Sequence, residues 1–119
     1  MKSVLISALL MLVPSLVFAD KTFLDNKGTS WDCKDDPVVS IQGNEGTFTF
    51  TGPCKKITVN GNKNTVHVAA ADRVTVNGNT NNVDATAVVT LAVNGNDNTV
   101  HAKGAKASNS GSRNTVDVK

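Results

Sequence analysis

The sequence predicts an all-β fold, a short β-solenoid in which the chain winds through about five coils and each strand pairs with its equivalent one coil away. Three observations carry this. A motif recurs at a fixed interval: Ile57-Thr58-Val59-Asn60-Gly61-Asn62 returns as Val74-Thr75-Val76-Asn77-Gly78-Asn79 and as Leu91-Ala92-Val93-Asn94-Gly95-Asn96, with successive glycines 17 residues apart. Apolar residues alternate with polar ones on either side of each Asn-Gly-Asn, the period of a strand with one buried face. Large side chains are scarce: beyond residue 19 there are Trp31, Phe23, Phe48 and Phe50 and no Tyr. The interior must therefore be Val and Ala, which suits narrow stacked coils. An antiparallel hairpin meander, with Asn-Gly as a two-residue loop, is the alternative. It gives no reason to keep the same residue at the same place, whereas stacked coils bring identical residues together.

The N-terminus reads as an export signal. Lys2 supplies a basic start, Val4–Phe18 is apolar apart from Ser7, Pro14 and Ser15, and Val17-Phe18-Ala19 offers a peptidase site. The run is shorter than the roughly 20 residues a membrane helix needs. Nothing later is apolar enough to span, so no stable membrane span is expected after cleavage. Asp20, not Cys, follows the cut, which argues against a lipid anchor. Residues 1–19 are thus expected to be a signal peptide, and the rest to be exported, periplasmic or extracellular. Removing 19 of 119 residues leaves 100, with 11 basic against 10 acidic side chains because only Lys2 is lost, a net charge of about +1. That gives no field to recruit nucleic acid.

Residues 20–38 do not repeat. Phe23, Leu24 and Trp31 stand among polar residues there. A solenoid end exposes an unpaired coil edge, so this segment is expected to be an N-terminal cap. Asp35-Asp36 precedes Pro37 and reads as a solvated turn, since adjacent strand residues point apart. Cys33 and Cys54 make an even count in an exported chain and read first as one disulfide pinning the cap. It would close a loop of about 20 residues and contribute on the order of 3 kcal/mol. Two free thiols or a half-built metal site are the alternatives.

Residues 39–119 form the repeat domain. Val39, Ile41, Gly43, Phe48 and Phe50 anticipate Ile57, Val59, Gly61, Val66 and Val68 by 18 residues. Each coil also carries a second strand: Asn64-Thr65-Val66, Asn81-Asn82-Val83, Asn98-Thr99-Val100 and Asn114-Thr115-Val116. Val59 and Val66 are an odd number of residues apart, so the chain must turn between them. Asn60-Gly61-Asn62, Asn77-Gly78-Asn79 and Asn94-Gly95-Asn96 are the expected corners, because Gly and Asn tolerate positive φ. In the last coil Ser110-Gly111-Ser112 replaces them.

Taken together, Cys33, Val39-Ser40-Ile41-Gln42-Gly43, Phe48-Thr49-Phe50-Thr51-Gly52-Pro53-Cys54 and Ile57–Val66 resemble the bacterial exported family known as domain of unknown function 3060. The resemblance covers about Cys33 to Val118. It implies an exported β-rich repeat protein with a cysteine on either side of the first repeat, and it implies no reaction. The last coil departs from the pattern at Ser110–Ser112.

If the coils stack, columns can be read directly. His67, Asp84, His101 and Asp117 fall in one column. Imidazole and carboxylate at strand spacing suit Zn²⁺ or Cu²⁺ or a pH switch, although alternation by itself also avoids the repulsion of stacked like charges. Beside it run Thr47, Thr65, Asn82, Thr99 and Thr115. Such a column can order water on an ice-binding face, but the charged or bulky His67 column next to it argues against that. The asparagines are expected to turn corners and hydrogen-bond up the stack, with glycan recognition as the functional alternative. No phosphate-binding glycine loop or catalytic triad context appears. The sequence thus predicts a non-enzymatic scaffold or interaction protein, requiring no cofactor. Its expected partners are an unidentified protein or glycan, or a second copy at the C-terminal coil edge. A metal-ion or glycan-binding module is the alternative.

Overall fold

Alternating valines and short Asn/Gly segments dictate where strands begin and end. The computed structural model describes residues 21–24 and 29–118; the expected signal peptide lies outside the described residues. Ten strands follow in order: β1 (Lys21–Phe23), β2 (Thr29–Asp32), β3 (Val38–Ile41), β4 (Thr47–Val59), β5 (Thr65–Val76), β6 (Asn82–Ala85), β7 (Val88–Val93), β8 (Thr99–Ala102), β9 (Lys106–Asn109) and β10 (Thr115–Asp117). The described residues contain no helix.

Every strand pairing is parallel. Val74 of β5 pairs with Ile57 of β4 and Leu91 of β7, while Val83 of β6 pairs with Val66 of β5 and Val100 of β8. Each of these steps is one repeat. A meander would have given antiparallel neighbours, so the chain is a parallel β-solenoid of about five turns. The strands β4 and β5 run on through the second corner of the coil rather than stopping there.

The core is five inward columns, one of them the short series Cys54, Ala71 and Val88 at the second corner. Val39, Ile57, Val74 and Leu91 form one, Ile41, Val59, Val76 and Val93 the next. Phe48, Val66, Val83 and Val100 form the third, and Phe50, Val68, Ala85 and Ala102 the fourth. All are buried. β-Branched side chains lose little on a pleated surface and interlock with their equivalents; burying each contributes roughly 1.5–3 kcal/mol. The two phenylalanine columns taper, from Phe48 and Phe50 in the first coil to Val100 and Ala102 in the fourth. In the last coil the inward positions pass to Ala107 and Asn109, both exposed.

At the other end the non-repeating segment continues the stack. β1 pairs with β3 and β2 with β4, so these two strands make a partial coil in register. Phe23 lies 5.6 Å from Phe48, 5.8 Å from Phe50 and 6.0 Å from Trp31 between ring centroids. Lys21 Nζ sits 4.8 Å above the Trp31 ring, a cation–π contact. Trp31 Nε1 donates to Asp36 O at 3.3 Å. Cys33 and Cys54 form a disulfide with Cα atoms 5.0 Å apart, which ties this coil to the next.

Changes of period are absorbed at one place. The spacing is 18 between Phe50 and Val68 but 17 between Pro53 and Ala70, and the shift falls around Gly52, φ 75°. It is 17 between Ala85 and Ala102 but 16 between Thr90 and Lys106, and Gly104, φ 71°, lies between. Gly reaches this left-handed conformation cheaply, so the second corner gains or loses a residue there while the core columns stay aligned.

Candidate functional site

The first corner of each coil is five residues long, and strand register brings the corners into columns. The glycine column is Gly43, Gly61, Gly78, Gly95 and Gly111. Its role differs from the sequence expectation, which placed positive φ on Asn and Gly. Positive φ falls instead on Glu45, Lys63, Thr80, Asp97 and Arg113, at 55–60°. Gly61, Gly78 and Gly95 are needed because the backbones nearly touch: a Cβ on Gly78 would overlap the carbonyl oxygen of Gly61, and one on Gly95 that of Gly78.

The asparagines use three kinds of bond. The column Asn60, Asn77, Asn94 is a side-chain ladder: Asn77 Nδ2 donates to Asn60 Oδ1 and Asn94 Nδ2 to Asn77 Oδ1, both at 2.9 Å. Ser110 Oγ ends it by donating to Asn94 Oδ1 at 2.8 Å. In the column Asn44, Asn62, Asn79, Asn96 each Oδ1 accepts the backbone N–H of the equivalent residue in the next coil, at 2.8–2.9 Å. The third column, Asn64, Asn81 and Asn98, is 1% exposed. Asn81 Nδ2 donates to Gly61 O at 3.0 Å and its Oδ1 accepts Asn64 N–H at 2.9 Å, so one amide clamps two backbone groups of the preceding coil. Asn98 repeats this on Gly78 and Asn81. A buried amide is tolerable only when so satisfied, and no buried side-chain polar atom among the described residues lacks a partner.

The last corner carries a clasp. Arg113 Nε and Nη2 donate to the two carboxylate oxygens of Asp97 at 2.7 and 2.9 Å. The Arg113 hydrogen bond and charge hold the Asp97 carboxyl below its ordinary value, and Asp97 raises Arg113 in turn. Sequence reading missed this pair. Both sit at the fourth corner position, one coil apart, which is the signal that would have found them.

The His/Asp column is real as a column: His67 pairs in register with Asp84, Asp84 with His101, and His101 with Asp117. His67, Asp84 and His101 are exposed. His101 Nδ1 lies 3.5 Å from Asp117 Oδ2, with side chains 52% and 38% exposed. Asp84, His101 and Asp117, with Thr86 and Lys103, rim an open depression of about 320 Å³ floored by Ala85 and Ala102. A shallower one of about 240 Å³ runs past His67 between Thr49 and Asp84. Among the described residues no group of three or more His, Cys, Asp or Glu is close enough together to hold a metal ion. The geometry therefore supplies a two-donor contact at His101 and Asp117. The column Thr47, Thr65, Asn82, Thr99 and Thr115 stands beside it, as the register requires.

Parallel coils cemented by backbone, amide ladders and inward clamps define a repeat protein, an asparagine-laddered β-solenoid. Within that class, the family model described as "Protein of unknown function (DUF3060)" matches residues 41–87 and 72–113, and the chain belongs to this family. No curated protein and no solved structure matches it.

Proposed function

We propose that this chain is a non-enzymatic exported scaffold, an interaction module that works through surfaces made rigid by stacking. The observation that carries this is the C-terminal end. β9 and β10 each pair on one side only, with β7 and β8 respectively, and all four residues of β9 are exposed. A parallel strand with one open edge can accept another strand. The natural occupant is a second copy of the chain, whose coils share the same spacing of about 4.8 Å. Sedimentation velocity over a wide concentration range tests it. Mass that rises with concentration is expected; a strict monomer at high concentration removes edge assembly. Export is tested by following the chain to the periplasm or medium with its N-terminus intact or truncated after Ala19.

A second reading, a metal-ion module, is supported by the 3.5 Å His101–Asp117 contact at the rim of the depression. Calorimetry with Zn²⁺ and Cu²⁺ decides it. No heat, or heat unchanged in His101→Ala, ends that reading.

A further inference from the structure

The solenoid's other strand face has a charge pattern of a different kind. Strand register places Lys56 beside Arg73, Arg73 beside Thr90, and Thr90 beside Lys106, in one outward column on β4, β5, β7 and β9. Two residues along the same strands runs a second column, Ser40, Thr58, Thr75, Ala92 and Ser108. Lys56, Arg73 and Lys106 are exposed. The ion pairs among the described residues are His101–Asp117 and Asp97–Arg113, neither of them on this face. Lys55 flanks the column, and Asp72 falls beside it at the margin, between the register pairs Cys54–Ala71 and Lys56–Arg73.

Like charges directly opposite on neighbouring strands are unfavourable. Elsewhere among the described residues the columns alternate in sign: His alternates with Asp in the outward column of β5, β6, β8 and β10, and Arg113 stacks on Asp97 at the corner. Lys56 on Arg73 is the exception: Asp72, across from Lys55, is the one carboxylate beside Lys55, Lys56 and Arg73, which leaves this group with a surplus of positive charge that an anionic ligand would offset.

We infer that this face binds a linear acidic polysaccharide laid along the solenoid axis, carboxylates or sulfates on Lys56, Arg73 and Lys106 and sugar hydroxyls on Thr58, Thr75 and Ser108. The cations stand in single file at multiples of about 4.8 Å, which fits one chain of regularly spaced anions. A duplex presents two phosphate rows, and single-stranded nucleic acid is held by aromatic stacking platforms, which these two columns lack. A membrane surface calls for a broad basic patch with apolar side chains that insert. This inference rests on the proposed interaction role and names a ligand for it.

The test is calorimetry of the full chain with polygalacturonate, dextran sulfate and neutral dextran. Salt-sensitive binding of at least one acidic polymer, and none of dextran, is expected. Lys56→Glu and Arg73→Glu should each weaken it about tenfold, while Lys63→Gln, an exposed cation at the first corner and outside both columns, should not. Thermal melting confirms that each variant is folded, and Thr75→Val, which keeps shape and charge, gives a second variant expected to bind more weakly. No binding at low salt, binding indifferent to all three variants, or equal binding of oligothymidylate or anionic vesicles overturns the inference. Polymer size after incubation separates it from the broader reading. An intact, unbound polymer sinks this inference alone, whereas a shortened one would make the chain an enzyme and sink the scaffold.

Discussion

Replacing Gly78 by Ala tests whether glycine is present for close approach or for backbone conformation. The Cβ of the variant would overlap Gly61 O and crowd Gly61 C and Asn60 O. To relieve this, two coils must separate where Asn77 and Gly78 N–H donate to Val59 O at 2.8 and 3.1 Å and Asn81 Nδ2 donates to Gly61 O at 3.0 Å. Overpacking of this kind costs about 1–3 kcal/mol. Stretching the buried Asn81–Gly61 bond adds about 1–3 kcal/mol. The reduced freedom of Ala in the unfolded chain returns about 0.4–1 kcal/mol. A net loss of about 3 kcal/mol is expected. The partner experiment is Thr80→Gly. Thr80 is β-branched at φ 58°, a conformation costing about 1–2 kcal/mol without glycine's freedom, against about 0.5–1 kcal/mol for adding a glycine. It should stabilise by about 0.5–1 kcal/mol. Denaturant unfolding followed by circular dichroism measures both, with slopes compared to confirm that the transition is unchanged. A Gly78→Ala loss below about 1 kcal/mol, or a Thr80→Gly variant less stable than the parent, would refute the assignment.

Asn81→Asp exchanges the donor facing Gly61 O for an oxygen; a loss of about 2–4 kcal/mol at neutral pH is expected, shrinking as acid protonates the carboxyl and restores a donor. A variant of parental stability by calorimetry would contradict this. The Asp97 carboxyl is depressed by Arg113, so its folded value lies below its unfolded one. Its contribution is present above the ordinary Asp range and is lost as pH falls through the folded value. The melting difference between the parent and Asp97→Asn should therefore narrow in acid; a difference constant with pH counts against it. Reducing Cys33–Cys54 should cost about 3 kcal/mol and raise hydrogen exchange first in β1 and β2, which pair with the stack on one side only and which the disulfide ties down; unchanged exchange there would be the contrary result.

The fold was legible because a solenoid's core is written in register with its chain. Val59, Val76 and Val93 recur at 17 residues and are stacked at 17 residues, so periodicity and packing are one fact. The His67–Asp84–His101–Asp117 column could be read for the same reason. What escaped was conformation within the corner. Sequence propensity places positive φ on Gly or Asn, yet Thr80 and Lys63 carry it, because Gly78 and Gly61 are already committed to the contact between coils and Asn81 and Asn64 to the clamp. Contacts between coils occupy four of the five positions, the glycine and the three asparagines, and leave the strain to the fourth. The partial coil of β1 and β2 escaped too, since Phe23 and Trp31 keep the register of Ile41 and Phe50 without sharing their sequence.

That division also tells where function can lie. The inward columns are fixed by packing and the Gly and inner Asn columns by backbone contact, so a change at Val76, Gly78 or Asn81 is answered by lost stability whatever the ligand. Only the outward columns are free to differ from coil to coil, and they do: His for Asp at 67 and 84, Thr for cation at 90 between Arg73 and Lys106. An outward column built only to be harmless would repeat a small hydroxyl residue, as Thr65, Thr99 and Thr115 nearly do. Alternating signs can still be explained as mutual neutralisation. Lys56 on Arg73 is not neutralised within its own column, which is why the proposed anionic ligand is placed there.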